Sequence, residues 1–174
     1  MQWKQDNQVL QEILKFPTVL FTCSIDGIGD KFDYIRRGAN WNKTLANIKF
    51  LKAQSNVDLR ANTVFSVLTA QELPEIIDYF MEEIGSIDHT INQLSMGQER
   101  LRCRNLPDEI KNKVREQLNK TFLKYKTNLN IAGNIKNCLI ELDNNHDSVE
   151  YKKYFDNIDI LQGTDWRKLY PELT

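Results

Sequence analysis

The chain has 174 residues, of which 41% are hydrophobic and 27% charged, with a formal net charge of -1. These values exclude a disordered tail, a collagen-like repeat and a mucin-like stalk, and no stretch approaches the roughly 20 apolar residues of a membrane span. The first ten residues are too polar for a signal peptide, and three widely spaced cysteines form neither a disulfide framework nor a Cys-x-x-Cys metal site. We therefore expect a reduced, cytoplasmic protein.

Hydrophobic patterning predicts alternating helices and strands in the first half of the chain. Asp6 or Asn7 can cap a first helix, which ends near Phe16 because a residue before proline is pushed out of the helical region. The nearly continuous apolar run over 18–25 predicts a strand covered on both faces, as in a parallel sheet. The next predicted elements are a short helix at 30–37, a helix with Trp41, Leu45, Ile48 and Leu51 on one face, a strand at 57–68, a helix opening at Pro74, and a weaker strand at 86–94.

The second half is predicted to be helical. Helices are expected at 108–126, 131–142 and 149–161, followed by a polar tail at 164–174. We therefore expect an α/β fold with about three parallel strands joined by crossover helices, followed by a helical extension. A crossover helix normally follows a strand, yet only residues 1–5 precede the first helix. We thus expect the N-terminal part of a larger unit to be missing.

Polar side chains lie where the first predicted strand ends. Ligands of parallel α/β proteins bind beyond the carboxyl ends of strands, where Ser24 and Asp26 are expected. A bend at the two glycines that follow would bring Arg36 back over the strand, where its guanidinium can grip a carboxylate. Asn62 is a polar residue inside the second strand. The pattern predicts a site for a small zwitterionic or ribose-bearing ligand; the alternative is a capped turn with Arg36 paired to Asp33.

Three motifs follow one another between residues 24 and 41: Ser-Ile-Asp-Gly at the strand end, Asp-x-x-Arg, and Gly-Ala-Asn-Trp opening a helix. In this order they resemble the middle of a radical S-adenosylmethionine (SAM) enzyme, closest to the SPASM/twitch-domain branch. Weaker similarity extends over most of the chain, in Arg60-Ala61-Asn62-Thr63-Val64, Glu72-Leu73-Pro74-Glu75, Asn105-Leu106-Pro107 and Pro171-Glu172-Leu173.

The resemblance implies a fold, an activity and a set of site residues. Residues 1–96 would form the C-terminal part of a (β/α)6 partial barrel, a half-barrel, and 97–174 a helical twitch-like extension. Ser24 would contact the SAM ribose and Arg36 the SAM carboxylate or ribose, while Asp26 and Asn62 would line the same end of the barrel. Such enzymes cleave SAM reductively at a [4Fe–4S] cluster to modify a peptide or a small molecule.

The sequence departs from this family at the cluster. The cluster needs a Cys-x-x-x-Cys-x-x-Cys loop, which is absent here, as is the Gly-Gly-Glu-type motif that holds the SAM amine. Cys23, Cys103 and Cys138 are interpreted as structural residues, and His89 and His146 as neither ligands nor bases. We expect that the chain alone neither binds the cluster nor cleaves SAM, and that a partner N-terminal half carries the cysteines.

A basic segment gives an alternative from a different functional class. Residues 97–136 carry a net charge of +6, between segments of -3 and -4. The chain would then be a non-enzymatic module that uses residues 100–126 to bind a peptide or nucleic acid. The opposing interpretation is the solvated face of an ordinary helix. The cations are Arg100, Arg102, Arg104, Lys111, Lys113, Arg115, Lys120, Lys124 and Lys126.

Overall fold

Strands and helices alternate in the first half of the chain in the predicted order. The computed structural model describes residues 6–85, 88–94, 98–143 and 150–174. The elements are α1 (Gln8–Ile13), β1 (Val19–Ser24), α2 (Asp30–Ile35), α3 (Trp41–Lys52), β2 (Val57–Phe65), α4 (Leu73–Asp78), a π-helical turn (Tyr79–Glu83) and β3 (Asp88–Gln93). The strands form a parallel open sheet in the order β1-β2-β3, which confirms the α/β class.

The second half is helical, as predicted. It contains α5 (Asp108–Lys124), α6 (Leu129–Asp143), α7 (Glu150–Gln162) and α8 (Trp166–Leu169), with 3-10 turns at Glu99–Leu101, Cys103–Asn105 and Pro171–Leu173. The residues group into two compact units, Met1–Thr63 with Ile76–Thr90, and Val64–Glu75 with Ile91–Thr174. No helix in the described ranges is both long and apolar enough to cross a membrane.

The sheet of the first unit begins with a precise register. β1 pairs with β2 from Val19 opposite Val57 to Ser24 opposite Asn62. Just before β2, the Asn56 side-chain amide donates to the carbonyls of Leu14 (2.8 Å) and Phe16 (2.7 Å), which fixes how the chain enters β1. Since β2 lies between β1 and β3, β1 is an outer strand of this sheet.

The prediction that the first strand is covered on both faces is wrong. Along β1 the burial alternates, with Val19 buried and Leu20 55% exposed. Leu59 and Ala61 of β2 belong to the core of the first unit, and Phe21 and Cys23 of β1 and Val57 of β2 pack against it. Even-numbered side chains lie on the opposite, open face. A half-exposed apolar run therefore looked the same in sequence as a fully buried one, because β-branched and hydroxyl residues suit both settings.

In the second unit α5 packs on α6, and the buried residues of these helices include Val114 and Leu118 of α5 and Ile131 and Ile135 of α6. Each pair has the i, i+4 spacing that places residues on one side of a helix. Within the same unit, the chain leaves β2 after Phe65, three residues earlier than predicted.

The predicted polar tail at 164–174 is wrong. Trp166, Tyr170 and Leu173 are buried, on α8 and the 3-10 turn that follows it. The Trp166 indole N–H donates to Asp156 (2.9 Å) and its backbone N–H to Asp159 (2.6 Å). Their spacing of four and three residues is a helical stripe that the charged neighbours obscure.

Candidate functional site

Asp26 and Arg36 form an ion pair just beyond the end of β1. Asp26 is 5% exposed, and its Oδ2 is paired with the Nη2 of Arg36, which follows α2 directly. Asp33 is engaged elsewhere, because its Oδ1 accepts the backbone N–H of Trp41 (2.6 Å) at the start of α3. The alternative in which Arg36 pairs with Asp33 is therefore wrong.

Two glycines allow α2 to fold back over the strand end. A Cβ on Gly27 would lie 2.9 Å from the backbone nitrogen of Phe32, so a larger residue would push α2 away. Gly29 has a φ of +61°, a left-handed conformation that glycine adopts without strain. The predicted bend is thus present, and it is what carries Arg36 to Asp26.

Ser24 and Asn62 occupy adjacent strands at the same end of the sheet. They are register partners, and the N–H of Ile25 donates to the Asn62 carbonyl (2.8 Å). The Thr63 hydroxyl donates to the Ile25 carbonyl (2.5 Å), so both backbone groups of Ile25 are held by β2. Ser24 is exposed and Asn62 half-buried, on the open face. Of the four predicted site residues, Asp26 and Arg36 thus form an ion pair, and Ser24 and Asn62 are neighbours on adjacent strands.

A cavity of about 610 Å³ lies beside β1 in the first unit. Ser24 and Arg36 line it, whereas Asp26 and Asn62 are not among the described lining residues. Its apolar wall comes mainly from β1 and α3, including Ile25 and Ile48, and no carboxylate is among the described lining residues. Volume, apolar wall and a few polar groups are typical of small-molecule sites.

Sequence reasoning missed four polar lining residues of this cavity, of which Thr22 belongs to β1. Arg37, next to Arg36, lies at its rim, and Thr44 and Asn47 enter it from α3. The i, i+3 spacing of Thr44 and Asn47 was the available signal, since it puts both on one side of a helix. With two guanidinium groups in its lining, the cavity suits a ligand that has an apolar or aromatic body and an anionic group.

One donor in this site is unused. The Nε of Arg36 is buried and has no hydrogen-bond partner among the described residues. A buried guanidinium N–H without an acceptor is costly, because it has lost its hydration. A ligand carboxylate at this position would supply the acceptor, so this atom fits the carboxylate-binding role that the family resemblance implies for Arg36.

His89 is a core residue of the first unit, and His146 lies outside the described residues. The His89 Nε2 lies 2.8 Å from the Thr63 hydroxyl. Because Thr63 donates its only hydrogen to the Ile25 carbonyl, His89 Nε2 must carry the proton and donate to Thr63. Burial lowers the pKa of His89 to about 4, so the imidazole is neutral at physiological pH.

The three cysteines are unsuited to hold a [4Fe–4S] cluster. Cys103 and Cys138 are fully buried, and burial raises the pKa of Cys138 to about 12 and that of Cys103 well above its usual value. Cys23 is half-buried in β1, and burial raises its pKa too. Cluster ligands are thiolates, which these environments disfavour. Among the described residues, no group of three or more His, Cys, Asp or Glu is placed to hold a metal ion.

We expect that the isolated chain, treated anaerobically with iron and sulfide, takes up far less than one [4Fe–4S] cluster per molecule. The reason is the absence of three closely spaced, accessible thiols. Iron analysis together with the charge-transfer absorption of thiolate-bound clusters measures this. Stoichiometric iron that survives desalting in wild type and is lost in Cys103→Ser would contradict the expectation.

Most cations of the basic segment already have a partner in the second unit. Arg102 and Arg104 pair with Glu99, Lys111 with Asp108, Arg115 with Asp143 and Lys120 with Glu116, while Arg100 lies over the Tyr154 ring and Lys124 over the Tyr125 ring. A polyanion would have to compete with these carboxylates. The arrangement favours the solvated face of a helix over a nucleic-acid surface.

Comparison with known proteins adds no relative: no family model matches the chain, and neither a curated protein nor a solved structure is significantly similar to it.

Proposed function

We propose that this chain supplies the SAM-binding strand end of a radical SAM-like half-barrel. The observation that carries the proposal is the Asp26–Arg36 ion pair, held over the end of β1 beside Ser24. Its residues coincide with the motif that resembles the SPASM/twitch branch. The cluster cysteines would come from another segment that carries Cys-x-x-x-Cys-x-x-Cys, and the reducing cytoplasm suits both that cluster and the free thiols here.

The two faces of the sheet support the half-barrel. Helix-side positions of β1 and β2 are mostly apolar and are buried or half-buried, whereas the open face carries Thr22 and Ser24 from β1 and Arg60 and Asn62 from β2. A (β/α) barrel has this asymmetry, with helices outside and a ligand-lined interior at the carboxyl ends of its strands. An ordinary sheet with a solvated face shares it, so the proposal depends mainly on the strand-end residues.

Each strand-end residue has a separate task in this proposal. The Ser24 hydroxyl donates to or accepts from a ribose hydroxyl, and the Arg36 guanidinium binds the SAM carboxylate after a shift of the side chain that makes its buried Nε–H accessible. Asp26 does not touch the ligand but holds Arg36 over the strand, which makes it a positioning residue. Asn62 orients the adjacent strand end. SAM, when bound, would supply the sulfonium group whose C–S bond such enzymes cleave.

We expect weak, localised SAM binding by the isolated chain. A titration followed by amide NMR should give shifts centred on residues 24–27, 36 and 62 at millimolar SAM, with no measurable heat by calorimetry. The low affinity follows because the open sheet face leaves most of the ligand in water. Adenosine alone should shift the Ser24 side, and methionine alone the Arg36 side.

Two substitutions give the matched comparison for this titration. Arg36→Lys keeps a cation beside Asp26 but loses the planar fork, so SAM affinity should fall roughly tenfold. Lys43→Ala removes an exposed cation of α3 that is not among the described lining residues, and it should change SAM affinity by less than about twofold. Shifts that avoid the strand end, or equal losses in the two variants, would overturn the proposed function.

A further inference from the structure

Among the described residues, no strand pairs with the outer edge of β1, and the backbone groups at this edge have a defined pattern. The N–H of Val19 donates to Asn56 and the N–H of Ile25 to Asn62, both at 2.8 Å. In a parallel ladder, residues two apart send both their N–H and C=O to the same side. The odd-numbered residues of β1 therefore face β2. The N–H and C=O groups of Leu20, Thr22 and Ser24 point to the open edge.

This edge carries no charged side chain. Residues 16–25 are uncharged, although natural edge strands are usually protected by charges, and Pro17 precedes β1 instead of lying within it. In the described part of the first unit, the exposed large hydrophobic residues are Val9 (63%), Phe16 (64%) and Leu20 (55%), all on α1, β1 or the connection between them. By contrast β3, the strand at the other side of the sheet, begins with Asp88, which lies 3.7 Å from Arg60.

We infer that two copies of this chain associate by pairing their β1 edges into one continuous sheet. A twofold axis necessarily makes two identical strands antiparallel. With the twofold axis at Thr22, this residue lies opposite Thr22 of the other copy. Leu20 of each copy then lies opposite Ser24 of the other. The three residues whose N–H and C=O point outward are then all hydrogen-bonded, with none left over. A register shifted by one residue would not match these groups.

Charge also favours a second copy over a different partner. The paired segments carry no charge, so self-pairing brings no like charges together. Leu20, which is 55% exposed, lies within the paired segment, so pairing would cover part of its side chain in both copies. This inference does not depend on the proposed SAM site.

Sedimentation or light scattering from micromolar to millimolar protein tests the pairing. Wild type should show a reversible monomer–dimer equilibrium. Thr22→Lys sets two like charges opposite each other at the axis and should raise the dimer dissociation constant by roughly tenfold or more. Ile160→Lys is the matched control, because it replaces an 80% exposed hydrophobic residue of α7 and should leave the equilibrium unchanged. A monomer over the whole range would overturn the inference.

Disulfide trapping tests the register itself. In a Cys23→Ser background, Thr22→Cys should form a dimer on mild oxidation, because directly opposite Cα atoms lie about 5.5 Å apart. Leu20→Cys should not form one, since its copies are offset by four residues, roughly 13 Å along the strand. Efficient trapping by Leu20→Cys instead of Thr22→Cys, or by neither, would overturn the proposed pairing. Both substitutions are at exposed positions of β1, and circular dichroism checks that the variants are folded.

Discussion

Replacing Arg36 with alanine is expected to lower the free energy of unfolding by about 2 kcal/mol. The substitution leaves the Asp26 carboxylate, only 5% exposed, without its cation beneath the turn that begins α2. Removing one partner of a fully buried ion pair costs roughly 3–5 kcal/mol. We expect less here because about a third of the Arg36 side chain (35%) remains exposed and water can partly screen the carboxylate.

Urea denaturation of three variants measures this effect. Arg37→Ala removes an adjacent, exposed cation and should change stability by less than about 0.5 kcal/mol. Adding Asp26→Asn to Arg36→Ala should recover part of the loss, because the unpaired charge is then gone. If the double variant is instead less stable than Arg36→Ala by the full cost of Asp26→Asn alone, the two residues act independently and the ion pair is not the cause.

Local sequence signals sufficed for the element order and for the return of Arg36 to the strand end. Gly27 and Gly29 predicted the bend, and the bend leads directly to the Asp26–Arg36 contact. These are short-range features, in which a few neighbouring residues determine the backbone path. The half-barrel is a separate matter, since it depends on strands beyond the three of this sheet and remains part of the proposed function.

Features that depend on long-range packing were not predictable from the sequence. The run at 18–25 has the same composition whether one or both faces are covered, so the open face of β1 became apparent only once its neighbours were placed. The buried stripe of Trp166, Tyr170 and Leu173 was hidden because short helices have too few residues to establish a period. Similarly, Thr44 and Asn47 could be assigned to the candidate site only once the cavity that they line was known.

The scaffold beneath the candidate site contains a titratable residue. His89 donates to the Thr63 hydroxyl, which donates to the Ile25 carbonyl, and Ile25 immediately precedes Asp26. The His89 ring also lies edge-on to Phe80, with centroids 5.9 Å apart. Charging this buried imidazole would therefore disturb both the core and the end of β1. The structure thus links acidification to the geometry of the strand end.

We expect acidification to destabilise the protein through His89. Burial lowers its pKa to about 4 in the folded state, against roughly 6.5 in the unfolded chain. The unfolded state then binds more protons between these values. The stabilising contribution is fully present above pH 6.5 and is lost as the pH falls toward 4, by about 2.5 kcal/mol at pH 4.5.

Unfolding measured at pH 7.5 and pH 4.5 in wild type and His89→Gln isolates this contribution. The variant is less stable at pH 7.5, because it loses core packing. Its free energy of unfolding should, however, fall by about 2.5 kcal/mol less than that of wild type between pH 7.5 and pH 4.5. All other titratable groups are common to the two proteins, so their contributions cancel in the comparison. An NMR titration locates the group directly: a midpoint near 6.5 for the His89 ring would mean that burial does not depress its pKa. The pH dependence of stability would then have to come from other groups. Protonation of His89 would not affect the strand end through Thr63.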